Sequence, residues 1–555
     1  MKNEFAFLCP PARALRFSGG SLDIRSLSFP LEVLKKYDFL FSRFRVPSRG
    51  RGLEIIFQDT PGRSGEAYAI DCEAGRVVLG ANSPRGRFYA LCTLLQVLAF
   101  HADAGRMPVF SLRDEPEVAW RGFFFPGEGK AGADAPRLQR LLLQLALLKF
   151  NQIALSSAAP AGVKDLARRI GMEVIFVDKD SQALFHRVPA GPKIGELPPG
   201  PAFFHGTGAE AETGSTAWLD FFLGQCRAAR AGGTRIAAWG DLFLRRPEWI
   251  RRIPGGVLVL NREAGPGPGR GDYFKTVILP FKAHHVQQVL CPLLCERDRF
   301  LPDTRAAMAR IEAAAAAVRT GKLAGIMLAA GQDDGETCLP EGAALLHFQA
   351  GCLLWSGRLP GPASFSRWAL SRDEPDLFRV FSFLAQAEHR LPYSHCRYLF
   401  EDPLLAPYSR QGDPREIAAH FSKAALYLKA REFAANEMSG FFDFTARLYK
   451  TIAAKVELSS RLRSFLEGAG GGETIRLQAA WLQQAVAELK ELYAGLFGGP
   501  LPSGGLKEFD LLSERFAHLA QAASSPAGRE TLLSALKNDS PLDSPEASSS
   551  DPYPM

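Results

Sequence analysis

The spacing of apolar positions divides the chain into four stretches. Residues 1–112 alternate apolar and polar side chains in "LEIIFQD" and "YAIDCEAGRVVLGAN", the period of half-buried strands, and change to helical spacing in "GRFYALCTLLQVLAFHA". Ser83-Pro84 stands just ahead of that last segment as a helix start signal. The stretch predicts a small α+β domain. Residues 113–365 repeat a different pattern, short apolar runs followed by helical stretches. The runs are "FNQIALSS", "MEVIFVD", "PAFFHG", "TRIAAWGD", "GVLVLN", "KTVILPF" and "LAGIMLAAG"; the helices fall at 136–149, 162–170, 216–231 and 303–320. Repeated strand-then-helix units imply a parallel sheet, and seven or eight of them predict a (β/α)8 TIM barrel. In such a barrel the chemistry collects in the loops that follow the strands.

Residues 366–525 read as a helical domain. Its amphipathic stretches, such as "PREIAAHFSKAALYLKAREFAANEM" and "IRLQAAWLQQAVAELKELYAGLF", carry apolar stripes suited to helix packing. Residues 526–555 end in "NDSPLDSPEASSSDPYPM", rich in Ser, Pro and Asp, and are expected to be a disordered tail.

Composition narrows the function classes. At 555 residues, 46% hydrophobic and 23% charged, the chain reads as a soluble globular protein of about three domains. Its net charge of +7, from 66 basic and 59 acidic residues, is spread along the sequence. The one brief basic cluster, "RFRVPSRGRG" at 43–52, has no aromatic ladder beside it, so no nucleic-acid partner is expected. No apolar run reaches the roughly 18 residues of a spanning helix, and the start "MKNEFAFLCPPARAL" lacks the unbroken apolar core of a signal peptide. Nine scattered cysteines, an odd number, predict reduced thiols and a cytoplasmic location. "CPLLC" (Cys291, Cys295) has no second ligand pair near it, so it reads as buried small hydrophobes and no metal is expected.

One resemblance emerges at the junction of the first two stretches. "GRFYALCTLLQVL" (86–98), "RDEPEVAWRGFFF" (113–125) and "LLLQLALLKFNQIAL" (141–155) resemble the family 20 glycoside hydrolases. That family's β-N-acetylhexosaminidases enter a (β/α)8 barrel through a "D-x-P-x-x-x-W-R-G" strand. "LPYSHCRYLFEDPLLAPY" (391–408) is similar to the intracellular bacterial branch with an additional C-terminal helical domain. The resemblance implies an N-acetylhexosamine-containing sugar as partner and no cofactor. It also implies substrate-assisted hydrolysis, in which the sugar's own acetamido oxygen attacks the anomeric carbon. The protein then has to supply a general acid and a neighbouring carboxylate that orients the acetamido group. The family carries both in a "G-x-D-E" motif after the fourth strand.

By the same resemblance, Arg121 of "WRGF" matches a sugar-gripping arginine, or else forms a structural ion pair at the barrel bottom. Gln182 and His186 in "SQALFHR" keep two polar positions of "Q-T-F-G-H". Trp239 and Asp241 match the family's "W-G-D-M", a strand end lining the cleft; the alternative for Trp239 is the core. Asp333, Asp334 and Glu336 in "QDDGET" resemble a motif that holds the non-reducing sugar, with Gly331 in place of its tryptophan. The aromatic wall expected after "VLVLN" is replaced by "REAGPGPGRG", and Pro126 stands where the family has aspartate.

The fourth-strand loop departs furthest. Aligning "FFHGTGAEAETG" through Gly206 and Gly214 puts Gly208 and Ala209 where the family has its Asp-Glu pair. A shift of one residue restores an acid, Glu210, but no aspartate. Glu212 suits the N-terminal end of the following helix. The other Asp-Glu dipeptides, Asp114-Glu115 and Asp373-Glu374, are expected in linkers. Three readings stay open: a barrel that has lost hydrolysis and keeps a sugar cleft, a divergent hydrolase using Glu210 as acid, and a non-catalytic scaffold.

Overall fold

The computed structural model describes residues 5, 7–46, 50–60, 65–124, 135–156, 160–177, 202–204, 216–231, 236–262, 274–295, 300–329, 339, 341–389, 395–400, 402, 413–430, 438–497 and 503–537. They divide into two compact units. The first holds an N-terminal sheet and the barrel and runs to Phe381; the second gathers the helices from Ser382 onward together with residues 300–303 and Leu339. Among the described residues no helix is long and apolar enough to cross a membrane.

The N-terminal sheet is six-stranded and mixed. It contains β1 (Ala14–Asp23), β2 (Leu27–Ser28), β3 (Leu53–Gln58), β4 (Tyr68–Glu73), β5 (Arg76–Ala81) and β6 (Arg106–Asp114), in the order β1-β6-β4-β5-β3-β2. The predicted "YAIDCEAGRVVLGAN" is the β4–β5 hairpin, paired antiparallel from Tyr68↔Ala81 to Glu73↔Arg76. Gly75 turns it with φ 78°, the left-handed region that favours glycine. The predicted helix runs Pro84–His101, and the Ser83 hydroxyl caps it by accepting from the Gly86 N–H at 3.0 Å.

Eight parallel strands follow and close on themselves. They are β7 (Trp120–Phe124), β8 (Gln152–Ser156), β9 (Glu173–Val177), β10 (Ala202–Phe204), β11 (Ile236–Trp239), β12 (Leu258–Arg262), β13 (Gln287–Cys291) and β14 (Gly325–Ala329). The last strand pairs with the first over Gly325↔Trp120 to Ala329↔Phe124. A side chain at Gly325 would meet the Trp120 carbonyl oxygen at 2.1 Å, so this seam needs a glycine. Outside the barrel, Trp218 of helix Thr216–Ala231 stacks on Phe222 at 5.4 Å and on Trp249 at 6.0 Å. This aromatic layer covers the outward side chains Ile236, Ala238 and Val259 of β11 and β12.

Three sequence expectations are corrected here. "KTVILPF" is not a strand: Phe274–Ile278 and Leu279–Ala283 are helical, and the seventh barrel strand is the unpredicted "QQVLC". Pro280 inside the run removes a ladder donor, which a central strand does not tolerate. Residues 526–537 of the expected disordered tail form helix Pro526–Lys537, whose Leu532 is buried. The cysteines are not all reduced: Cys295 is disulfide-bonded, while Cys291 is free and buried in the barrel.

In the second unit, Phe300 packs on Phe444 and Tyr493, both at 5.5 Å, and Phe400 packs edge-on to Phe509 at 5.0 Å. Lys455, wholly buried in helix Ser439–Leu466, donates to the carbonyls of Tyr398 at 3.0 Å and Leu399 at 2.7 Å. Arg515 adds a bond to the Phe400 carbonyl at 2.9 Å. Helix His395–Phe400 thus has its negative dipole end met by two cations.

Candidate functional site

Alternation along the barrel strands sends Phe124, Trp239, Cys291 and Ala329, each the last residue of its strand, into the interior. Phe124 and Trp239 meet edge to face with centroids 5.7 Å apart, an aromatic pair at the carboxyl end, where barrel chemistry collects. Beyond Trp239 the chain turns tightly. The Gly240 N–H donates to the Leu260 carbonyl at 2.8 Å, and a Cβ at 240 would lie 2.1 Å from Asn261 Oδ1. This turn leads directly into helix Asp241–Arg245, so half-buried Asp241 stands two residues beyond the interior tryptophan. Behind β12, the Asn261 amide donates to Gln288 Oε1 at 2.8 Å, and Gln288 donates to the Ile278 carbonyl at 3.1 Å.

Arg121 is elsewhere. Its guanidinium donates to the carbonyls of Lys149 at 2.9 Å, Val118 at 2.6 Å and Ala119 at 2.9 Å, and to Glu66 Oε2 at 2.6 Å. Those carbonyl partners precede β7 and β8, at the amino end of the barrel, and Arg121 is only 1% exposed. The sugar-gripping expectation is therefore corrected. With Trp120 and Phe124 turned inward, Arg121 between them points outward, and Glu66 of the N-terminal sheet region receives its charge. Burial pushes the Glu66 carboxyl up, but Arg121, Arg85 and Asn151 together outweigh it and hold it below its ordinary value.

A second buried network lies at the same end. Asp114 is not a linker carboxylate: it closes β6, and its Oδ2 accepts from Lys149 Nζ at 3.0 Å, the Tyr68 hydroxyl at 2.7 Å and Trp355 Nε1 at 2.8 Å. Lys149, held in the left-handed region at φ 64°, also donates to the Tyr68 hydroxyl at 2.7 Å and sits 4.4 Å from the Trp355 ring. These groups weld the small sheet to the barrel's amino end. They are structural, as chemistry in this fold collects at the other end.

Of the predicted site residues, Trp239 is 5% exposed in the barrel core against Phe124, the alternative its sequence left open, and Asp241 is half-buried at the start of the next helix. The signal for Phe124 was the two-residue period in "WRGFFF", which turns Trp120, Gly122 and Phe124 the same way. Glu210, Gln182, His186, Asp333, Asp334 and Glu336, with Gly208, Ala209 and Glu212, lie outside the described residues. Among the described residues, no group of three or more His, Cys, Asp or Glu side chains is placed to hold a metal ion.

No protein-family model matches the chain, and no curated protein matches it. Solved structures do. A chitobiase from Flavobacterium johnsoniae is 14% identical with a TM-score of 0.50, over 97% of this chain and 94% of that one. A β-N-acetylhexosaminidase from Bacteroides fragilis is 15% identical with a TM-score of 0.49, over 66% of this chain and 94% of its own. A family 20 exo-β-N-acetylglucosaminidase from Vibrio harveyi, in an inactive mutant form, is 13% identical with a TM-score of 0.44, over 63% and 74%. At these identities the likeness is one of fold: the chain resembles the family 20 β-N-acetylhexosaminidases.

Proposed function

We propose that this chain is a family 20-like barrel that binds an N-acetylhexosamine-containing sugar at its carboxyl end and has lost ordinary hydrolysis. One observation carries the reading. The eight barrel strands end in Phe124, Ser156, Val177, Phe204, Trp239, Arg262, Cys291 and Ala329, and none is a carboxylate. A general acid then has to come from a loop, and the loop after β10 offers Gly208-Ala209 where the resemblance expects Asp-Glu, with Glu210 one residue late. A positioned general acid is worth roughly 10²–10⁴ in rate, so its loss with the orienting carboxylate removes most of the catalytic advantage.

What supports retained binding is the aromatic pair. Phe124 and Trp239, 4% and 5% exposed, cap the packed barrel interior at its carboxyl end, so a pyranose seated there would meet their apolar edges, with half-buried Asp241 two residues on as an acceptor for hydroxyls. Calorimetric titration with N-acetylglucosamine tests this directly. Saturable binding to the full chain that is weakened at least tenfold in Trp239→Ala supports the reading, whereas no binding to the wild type favours a scaffold.

A further inference from the structure

Two thiols far apart in sequence meet inside the first unit. Cys9 Sγ lies 3.4 Å from Cys352 Sγ; the residues are 2% and 0% exposed and 343 positions apart. Cys9 is held in place from both sides of its backbone. Its N–H donates to Gln96 Oε1 at 2.8 Å, and its carbonyl accepts from Gln96 Nε2 at 2.9 Å, so the N-terminal segment is fixed on helix Pro84–His101. Cys352 stands in the interior of helix Ala344–Ser356, where Trp355 and Gly351 pack inward with it. Closing a disulfide brings the two sulfurs from 3.4 Å to about 2 Å.

We propose that Cys9 and Cys352 form an intramolecular disulfide that staples the N-terminal segment to the barrel helix Ala344–Ser356. The step is thiol–disulfide exchange with a low-molecular-weight disulfide such as oxidised glutathione. The first cysteine thiolate attacks one sulfur of the reagent and expels a thiolate. The second cysteine thiolate then attacks the mixed disulfide, forms the Cys9–Cys352 bond and expels the other. Two protein thiols are oxidised, the reagent is reduced to two thiols, and the two protons end on the released thiols.

Burial sets when this happens. Burial, and then the neighbouring thiol, push the Cys9 thiol well up, against the opposing influence of the Lys149 ammonium. Because the thiolate is the nucleophile, exchange is slow once the segment has docked and is fast while it is still open. The staple therefore forms during folding and, once buried, resists reductants. It closes a long loop, which limits the unfolded ensemble.

The test is to refold the full chain from its reduced, denatured state in a glutathione/glutathione-disulfide buffer. Remaining thiols are then alkylated under denaturing conditions, and the digest is mapped without reductant by mass spectrometry. The expected result is a Cys9–Cys352 linked peptide pair 2 Da lighter than the two thiol peptides combined. The oxidised wild type should also melt roughly 5 °C above oxidised Cys9→Ser and Cys352→Ser, which keep the bond at Cys295, and the three proteins should melt alike once fully reduced. Recovery of both cysteines as alkylated thiols in cooperatively melting protein, or pairing of either with another cysteine, overturns the proposal. The wild-type peptide map decides the matter even if a variant fails to fold.

Discussion

Lys149 Nζ lies 3.0 Å from Asp114 Oδ2, and both side chains are wholly shielded from solvent. The pair joins the last strand of the small sheet to the turn before the second barrel strand, with the Tyr68 hydroxyl and Trp355 Nε1 completing the carboxylate's shell. Removing one member leaves the other charge buried without compensation, at a cost of about 3–5 kcal/mol. Lys149→Met and Asp114→Asn should each lower the urea midpoint accordingly. The double variant Lys149→Met/Asp114→Leu should be less destabilised than the sum of the two single variants, because it leaves no orphan charge, although the Tyr68 hydroxyl and Trp355 Nε1 lose their shared acceptor. Single-variant losses below about 1 kcal/mol would refute this account of the junction.

Arg121 predicts the opposite of what its motif suggests. Its guanidinium makes four hydrogen bonds at the barrel's amino end. Arg121→Lys cannot reproduce that fork and should destabilise the first unit by about 2–4 kcal/mol, while leaving the affinity of folded protein for sugar unchanged. Denaturant titration beside calorimetric sugar binding separates the two effects.

Among the described residues, His347 should give a distinct loss of stability on acidification. It is 3% exposed on helix Ala344–Ser356, packs edge-on to Phe123 at 5.1 Å, and burial pushes its imidazole down to about 4 from 6.5. The unfolded chain takes up this proton first as pH falls. The neutral form's stabilisation is therefore complete above pH 6.5 and declines between 6.5 and 4, by about 3 kcal/mol in all. His347→Leu should flatten the stability profile in that window. Glu66, whose carboxyl is held low, adds a separate loss only below about pH 4.5, as it becomes protonated in the unfolded chain first.

At the seam that closes the barrel, Gly325→Ala forces a methyl group against the Trp120 carbonyl. The strands must part there, and thermal melting should show a loss of about 1–3 kcal/mol, against little change for Gly224→Ala, where a Cβ meets open space.

The strand-then-helix rhythm made the barrel legible, because parallel strands covered on both sides are short continuous apolar runs. It failed at "KTVILPF", which is as apolar as any strand but carries Pro280, and at "QQVLC", where Gln288 faces outward and is satisfied by Asn261 rather than by water. Periodicity sees polarity; it does not see such pairing. The same limit explains Arg121 and Asp114. Their residue types suit a sugar site or a linker, and only the closed barrel shows that both serve its amino end. Trp239 was legible as a strand end, and of its two readings its 5% exposure fits the core. Phe124 was in plain view in "WRGFFF" but needed the register to show which way it turns.

A family 20-like barrel that has lost turnover, as proposed, should bind N-acetylglucosamine without cleaving its glycosides. The most direct measurement is hydrolysis of an aryl β-N-acetylhexosaminide by the purified full chain beside Glu210→Gln. The account predicts no release of the aryl alcohol above the uncatalysed rate in either protein, with N-acetylglucosamine still bound. Steady turnover by the wild type that collapses in Glu210→Gln would contradict it and make Glu210 the general acid of a working enzyme.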